Sequence, residues 1–283
     1  MEHVHFEDVS LRVQDGMDDL FDNSKPHFTA WLQTHDMDKG WSHFGQGSRK
    51  AIGSPLYYAA FCGFYDLAER LIMEHPEQAN LAGGFILAPL PAALSKRHFR
   101  VADLLSRHGA VVDVRDREGW TSLHVSARIL ESVDITRWLL KHGANASAQT
   151  HIGRTPLHHA TYNVNLEAAQ ALLEYNPDIG LRDRNGDTPL HDILSRIEPS
   201  TEGKVVEIVW RLLEYGADPN IRRDDGSDST PLHLSSFSGS LEVTRLLLSY
   251  GARIDEEDEE WKTPFEVASS HGHDEIMKLL LEP

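Results

Sequence analysis

One tetrapeptide recurs along this chain of 283 residues and restricts the folds open to it. Thr-Pro-Leu-His begins at Thr155, Thr188 and Thr230, and near copies begin at Thr121 and Thr263. Together with two degenerate copies, the aligned positions are Ser54, Ala88, Thr121, Thr155, Thr188, Thr230 and Thr263. Five of the six intervals are 33 or 34 residues, and one is 42. Self-similarity at this period is typical of a stacked-repeat array.

A second landmark follows the tetrapeptide in most copies: a Leu-Leu pair and then Gly-Ala, as at Gly143 and Gly216. Threonine is a preferred helix N-cap, and proline suits the first helical position. Glycine is the usual residue just beyond a helix C-terminus. Each copy therefore predicts two short helices with one apolar face, which only a neighbouring copy can cover.

The tetrapeptide and the Gly-Ala close resemble the ankyrin-repeat family. The resemblance implies an all-α ankyrin-repeat solenoid of helix-turn-helix units with β-hairpin fingers. It covers residues 51–283 as about seven repeats, while residues 1–50 are expected to form an N-terminal cap or divergent half-repeat. It also implies a non-catalytic scaffold that recognises a partner protein through its fingers and the concave face formed by its first helices.

A shorter resemblance lies near the start of the chain. The stretches 19–22 and 26–31 are similar to the segment that precedes ankyrin arrays in fungal NACHT-type signalling proteins. This keeps an alternative open, in which the chain is the regulatory or sensor portion of a larger signalling NTPase or other multidomain assembly.

The interval of 42 residues predicts an insertion. Compared with the repeat at Thr230, seven extra residues fall between the two helices, around 198–203, and two lengthen the finger at 222–228. We expect the Pro199–Gly203 stretch to be a passive insertion, although a regulatory or hinge loop stays open.

Charge and composition limit the partners. The net charge of −17 disfavours nucleic acid, whose phosphates need a basic footprint. The start of the chain lacks the pattern of a signal peptide, and no apolar run is long enough to span a membrane. A single cysteine, Cys62, fits a reducing compartment. We expect a monomer in the cytoplasm or nucleus.

The residues that could support chemistry are better explained as structure. Seventeen histidines suggest a metal site, but the tetrapeptide histidines of the family bond within and between repeats. Cys62 has no activating partner in the sequence and is expected to be a buried structural thiol. The glycines of 45–50 lack the spacing of a phosphate loop. We therefore predict no catalytic activity, no cofactor and no metal.

Candidate partner-binding residues lie between the tetrapeptides. They are finger arginines, which suit binding hot spots, aromatic residues near the first helices, and acids of the last finger that could attract a basic patch. Replacing Arg182, Arg184, Arg222 and Arg223 by alanine is expected to spare folding and weaken capture of the partner. The full set is Arg115, Arg117, Trp120, Tyr162, Arg182, Arg184, Arg222, Arg223, Phe237, Glu257, Glu259 and Trp261.

Overall fold

A computed structural model describes residues 53–81 and 88–281. Within these two ranges the chain forms fourteen α-helices and one 3-10 helix, and no residue belongs to a strand. The predicted all-α fold class is therefore confirmed. None of the helices in the described ranges has the length and apolar character needed to cross a membrane. The expected cap at 1–50, the fungal resemblance and the glycines of 45–50 lie outside the described residues.

The chain divides into two compact units, Met1–Val114 and Arg115–Pro283. In the described part of the first unit, α1 packs against both α2 and α3, and α3 packs against α4. The elements of this unit are α1 (Pro55–Cys62), α2 (Tyr65–Glu74), a 3-10 helix (Pro76–Asn80), α3 (Pro89–Ser95) and α4 (Phe99–Arg107).

In its described residues, 115–281, the second unit forms five helix pairs. Each first helix packs against the first helix of the next pair, and the second helices form a row of their own behind them. The pairs are α5 (Ser122–Arg128) with α6 (Val133–Lys141), α7 (Pro156–Tyr162) with α8 (Leu166–Leu173), α9 (Pro189–Leu194) with α10 (Glu202–Glu214), α11 (Pro231–Ser238) with α12 (Leu241–Ser249), and α13 (Pro264–His271) with α14 (Asp274–Leu281). The tetrapeptide leucines are buried between the layers, as are the alanines five or six residues beyond the N-caps, Ala127, Ala160 and Ala268.

A reciprocal cap fixes where the first helices begin. At the start of α7, the Oγ1 atom of Thr155 accepts a hydrogen bond from the backbone N–H of His158 at 3.3 Å. The imidazole Nδ1 of His158 in turn accepts from the backbone N–H of Thr155 at 3.1 Å. The same capping box occurs at Thr121, Thr188 and Thr230, and at Thr263 with glutamate in place of histidine. The predicted N-cap role of the repeat threonine is confirmed.

The expected fingers are tight turns between one helix pair and the next. Each is closed by a backbone hydrogen bond across its base, for example from Asp116 to Trp120 at 2.9 Å and from Asp183 to Asp187 at 2.9 Å. Successive fingers also bond to each other, as the N–H of His151 donates to the carbonyl of Glu118 at 2.9 Å. The hairpins are thus too short to count as strands in the described residues, and they stack as a ladder.

The insertion lies where the sequence predicts it. The finger closed by Arg223 and Ser229 spans two more residues than the finger closed by Asp116 and Trp120. Between α9 and α10 the extra residues form a loop, and α10 is thirteen residues long. Its first residue, Glu202, accepts a hydrogen bond from the hydroxyl of Ser240 in the next repeat at 2.7 Å.

Candidate functional site

The tetrapeptide histidines are part of the scaffold. Because Nδ1 of His158 accepts the N–H of Thr155, the ring proton lies on Nε2, which donates to the carbonyl of Asp187 at 3.0 Å. His124, His191 and His233 make equivalent bonds to the next finger. Burial lowers the pKa of His124, His158 and His191 to about 4. These rings are therefore neutral, and both nitrogens are used within the stack.

Three of the candidate finger arginines also serve the stack. Nη1 of Arg182 donates to the carbonyl of Gly186 in its own finger at 2.7 Å and to that of Arg222 in the next finger at 2.8 Å. Arg115 and Arg222 bridge their own finger and the next in the same way. Replacing them would therefore remove contacts between fingers as well as any contact with a partner.

Arg223 is committed in another way. Its guanidinium forms a two-point ion pair with Asp187, at 2.6 Å and 2.8 Å, and lies 3.2 Å from Asp225. These bonds raise the pKa of the guanidinium, and its positive charge is neutralised inside the ladder. The remaining candidate arginines, Arg117 and Arg184, are exposed at finger tips.

Trp120, which lies just before the first helix pair of the second unit, contacts another ring and a guanidinium group. Its indole lies 4.2 Å from the ring of His159, and the guanidinium of Arg128 lies over it at 5.7 Å. His159 is 5% exposed, and its Nε2 has no hydrogen-bond partner. Burial lowers the pKa of His159 to about 2, so the ring is neutral and behaves as a packing group for Trp120.

Tyr162 lies one repeat further along, and two arginines contact its ring. The guanidinium carbons of Arg154 and Arg196 lie 5.0 Å and 4.7 Å from its ring centroid. The ring is nevertheless 40% exposed. Arg154 forms an ion pair with both carboxylate oxygens of the buried Asp192, and its Nε is 3.5 Å from Asp183. We call Trp120, Arg128, Tyr162, Arg154 and Arg196 the aromatic–arginine surface.

The charge state of Asp192 depends on two opposing effects. Burial raises the pKa of its carboxyl, the Arg154 guanidinium lowers it, and the pKa that results from both effects is about 7. A guanidinium that contacts both oxygens favours the ionised form, since charge-assisted bonds of this kind are strong. The pair therefore holds Arg154 in place beside Tyr162.

The other candidate aromatics are more exposed. Phe237 on α11 is 60% exposed and lies 4.5 Å from the ring of His271 on α13. Trp261 is 79% exposed at the tip of the last finger, where its backbone φ is +59°. Neither lies in a ring contact with the Tyr162 group, so these residues form separate positions along the second unit.

The acidic last finger divides into two kinds of residue. Glu256 is paired with Arg222 and with Arg253, at 3.0 Å in the latter case, and these bonds lower its pKa. The candidates Glu257 and Glu259 are exposed. Their backbones bond to the preceding finger, through the Glu257 carbonyl and the Glu259 N–H.

Cys62 ends α1 in the first unit and is half-buried, which makes it less enclosed than the sequence predicted. Burial raises the pKa of its thiol to about 11, with a smaller opposing effect from Lys96. A thiol with so high a pKa is a poor nucleophile at neutral pH. Across the described residues, no group of three or more His, Cys, Asp or Glu side chains could hold a metal ion.

Three arginines of the aromatic–arginine surface were not predicted from the sequence. Arg154 immediately precedes an N-cap threonine, while Arg128 and Arg196 follow N-caps by seven and eight residues. These positions flank the two ends of the first helices. Aligning the repeats column by column, rather than searching the fingers for arginine, would have identified them.

The second unit is thus a stack of two-helix repeats whose buried polar residues maintain the stack and whose first helices expose aromatic and cationic side chains. A family model described as ankyrin repeats matches the chain three times, over residues 56–150, 131–221 and 200–283. The chain belongs to the ankyrin-repeat family. Modules of this family generally mediate protein–protein interaction and are typically non-enzymatic.

Individual relatives agree with this assignment. The chain is 35% identical over 217 residues to human ankyrin repeat and SOCS box protein 16, covering 76% of this chain and 47% of that protein. It is 28% identical over 197 residues to the probable 26S proteasome regulatory subunit p28 of Saccharomyces cerevisiae, covering 68% and 82% of the two chains. The crystal structure of the ankyrin repeat domain of Bcl-3 matches with a TM-score of 0.70 at 27% identity, covering 81% of this chain and 98% of that one.

The matched relatives are often longer proteins. The chain spans less than half of the human protein and 14% of mouse Rabankyrin-5, to which it is 32% identical over 170 residues. What those whole proteins bind is therefore not transferred to this chain by the match.

Proposed function

We propose that this chain is a non-catalytic scaffold that binds a partner protein through the aromatic–arginine surface of its second unit. The observation that carries the proposal is the position of Tyr162, whose ring stays 40% exposed although two guanidinium groups flank it. Tyrosine and arginine dominate binding hot spots, and tyrosine presents a large surface while losing little conformational freedom. A surface fixed in advance by its own contacts also reduces the entropic cost of binding.

The acidic last finger supplies the second part of the proposal. Glu257 and Glu259 are exposed there, and they would attract a basic patch on the partner. The net charge of −17 argues against nucleic acid and against anionic membrane surfaces as alternatives. Because each finger can bond to the next within one chain, the scaffold is proposed to act as a monomer.

Capture from native lysate with matched variants tests the proposal. Tyr162→Ala removes the flanked ring, while Tyr175→Ala removes a tyrosine of similar exposure, 47%, from the turn after α8. The amount of each protein captured by the unmodified chain should fall about tenfold with Tyr162→Ala and stay the same with Tyr175→Ala. Circular dichroism melts establish whether both variants fold. Identical capture by the three chains would contradict the proposal.

A second candidate function is that the chain is the regulatory portion of a longer signalling protein. This role is favoured because the chain covers only 47% and 14% of the lengths of two of its relatives. Sequencing the full-length native transcript tests it. An open reading frame that extends into an NTPase module would support this role, and one that encodes only these residues would exclude it.

A further inference from the structure

Arg196 differs from the other arginines of the aromatic–arginine surface. It lies two residues beyond the end of α9, is half-buried, and has its guanidinium 4.7 Å from the ring centroid of Tyr162. Among the described residues, no carboxylate lies within salt-bridge distance of it. In this part of the chain it is thus a positive charge placed against an aromatic ring and left without a counter-ion.

Arg154 contacts the same ring, but its positive charge is neutralised. It forms an ion pair with Asp192 and lies 3.5 Å from Asp183. Several other arginines of the second unit have a comparable acid. These pairs are Arg137 with Glu174, Arg211 with Glu207, Arg222 with Glu256, Arg223 with Asp187 and Arg253 with Glu256.

Arg196 is less exposed to solvent than Arg184 and Arg245, two arginines that lie outside the aromatic–arginine surface. Those two are exposed and are therefore well solvated where they are. Arg196 is partly removed from water, so a charge that arrives from outside gains more by pairing with it than with either of them. Its fork of N–H donors also suits a planar carboxylate.

We propose that Arg196 is the specificity-determining residue of the surface and that it binds one carboxylate, from an aspartate or glutamate side chain of the partner's docking segment. This inference rests on the proposed function. The partner's carboxylate would form with Arg196 the kind of ion pair that Asp192 forms with Arg154, and the exposed part of Tyr162 would contact the apolar part of the same segment.

The local charges favour a carboxylate over a phosphate. A phosphate carries about two negative charges at neutral pH and forms its strongest contacts with a cluster of arginines. Here Arg154 is already committed to Asp192, and its Nε also lies 3.5 Å from Asp183. A dianion at Tyr162 would meet these acids, while of the two arginines at that ring only Arg196 lacks an acidic partner among the described residues. A single carboxylate matches that one guanidinium in charge and shape.

Selection from a phage-displayed library of random dodecapeptides tests the inference whatever the identity of the natural partner. The bait is the full chain, unmodified or carrying Arg196→Gln, Tyr162→Ala or the control Arg245→Gln. Peptides enriched by the unmodified chain and by Arg245→Gln should share an aspartate or glutamate at one position. Arg196→Gln should enrich peptides without that preference, and Tyr162→Ala should enrich few or none.

A double-mutant cycle then measures the contact itself. In a selected peptide, changing the shared acid to its amide should weaken binding to the unmodified chain by about tenfold and leave binding to Arg196→Gln unchanged. Equal loss on both chains would overturn the assignment to Arg196. Peptides that depend on Tyr162 but show no acidic preference would refute the inference while sparing the proposed function. Failure to enrich any peptide that depends on Tyr162 would count against both.

Discussion

The imidazole of His158 donates from Nε2 to the carbonyl oxygen of Asp187 at 3.0 Å, joining one repeat to the finger that begins the next. Its other nitrogen already accepts the N–H of Thr155 at the start of the same helix. Protonation of Nδ1 would place two donors face to face in a buried site. The histidine can therefore stabilise the stack only while it is neutral.

This arrangement predicts loss of stability in mild acid. The folded pKa of His124, His158 and His191 is lowered to about 4, while in the unfolded chain these histidines titrate near about 6.5. Between these values the unfolded chain binds more protons than the folded chain. The free energy of unfolding is therefore highest above about pH 6.5 and falls as the pH drops toward 4. Each histidine lowers the free energy of unfolding by up to about 1.4 kcal/mol for each unit by which the pH falls. Urea titrations at a series of pH values measure the slope.

A histidine variant provides the control for this prediction. His158→Gln lacks one titrating group and should reduce the slope by about 1.4 kcal/mol per pH unit near pH 5. The carboxyl of Asp192, whose pKa burial raises to about 7, opposes the histidines by at most one proton. A free energy of unfolding that stays constant from pH 7 to pH 5 would contradict the prediction.

The finger glycines predict a second effect on stability. Gly186 has a φ of +76°, and a Cβ added there would lie 2.3 Å from the Cβ of Asp224 in the next finger. Gly186→Ala should therefore destabilise the chain by about 2 kcal/mol or more. Gly203, on α10, has no neighbour within 4 Å of such a Cβ and no positive φ. Gly203→Ala should stabilise the chain by about 0.5–1 kcal/mol. Urea unfolding midpoints that move in the same direction for both variants would refute this explanation.

Arginines two residues apart should behave differently. Nη1 of Arg182 bonds to carbonyl oxygens of two successive fingers, so Arg182→Ala should cost about 1–2 kcal/mol of unfolding free energy. Arg184 is exposed at the finger tip, and Arg184→Ala should change that free energy by less than about 0.5 kcal/mol. Thermal melts of the two variants side by side make the comparison. Equal destabilisation would show that the finger ladder does not depend on the Arg182 bonds.

The fold was predictable because its determinants are local and repeated. Thr155 and its equivalents reveal helix starts, and Gly143 reveals a helix end with a φ of +85°. The extra residues of the longest repeat could be counted and placed from the spacing of these landmarks. Each of these features depends on backbone geometry within a few residues, which a sequence records directly.

The candidate site was less predictable because it depends on which side chains already have partners. Arg182 and Arg184 look equivalent in the sequence, yet only Arg182 bridges two fingers. Arg196 attracts no notice in the sequence, and its importance comes from Tyr162, which lies in the preceding repeat. Contacts between repeats join residues that are about thirty or more positions apart, and identifying them requires the structure.

The thiol of Cys62 provides a test that concerns the first unit alone. Burial raises its pKa to about 11, and only the thiolate reacts with alkylating reagents. The native chain should therefore react with iodoacetamide at pH 8 about a hundredfold more slowly than the chain unfolded in urea, where the thiol titrates normally. Mass spectrometry of timed samples gives both rates, and Cys62→Ser supplies the background. Similar native and unfolded rates would show that the thiol at the end of α1 is more accessible to water than its half-buried position implies, and they would reopen the question of a reactive cysteine.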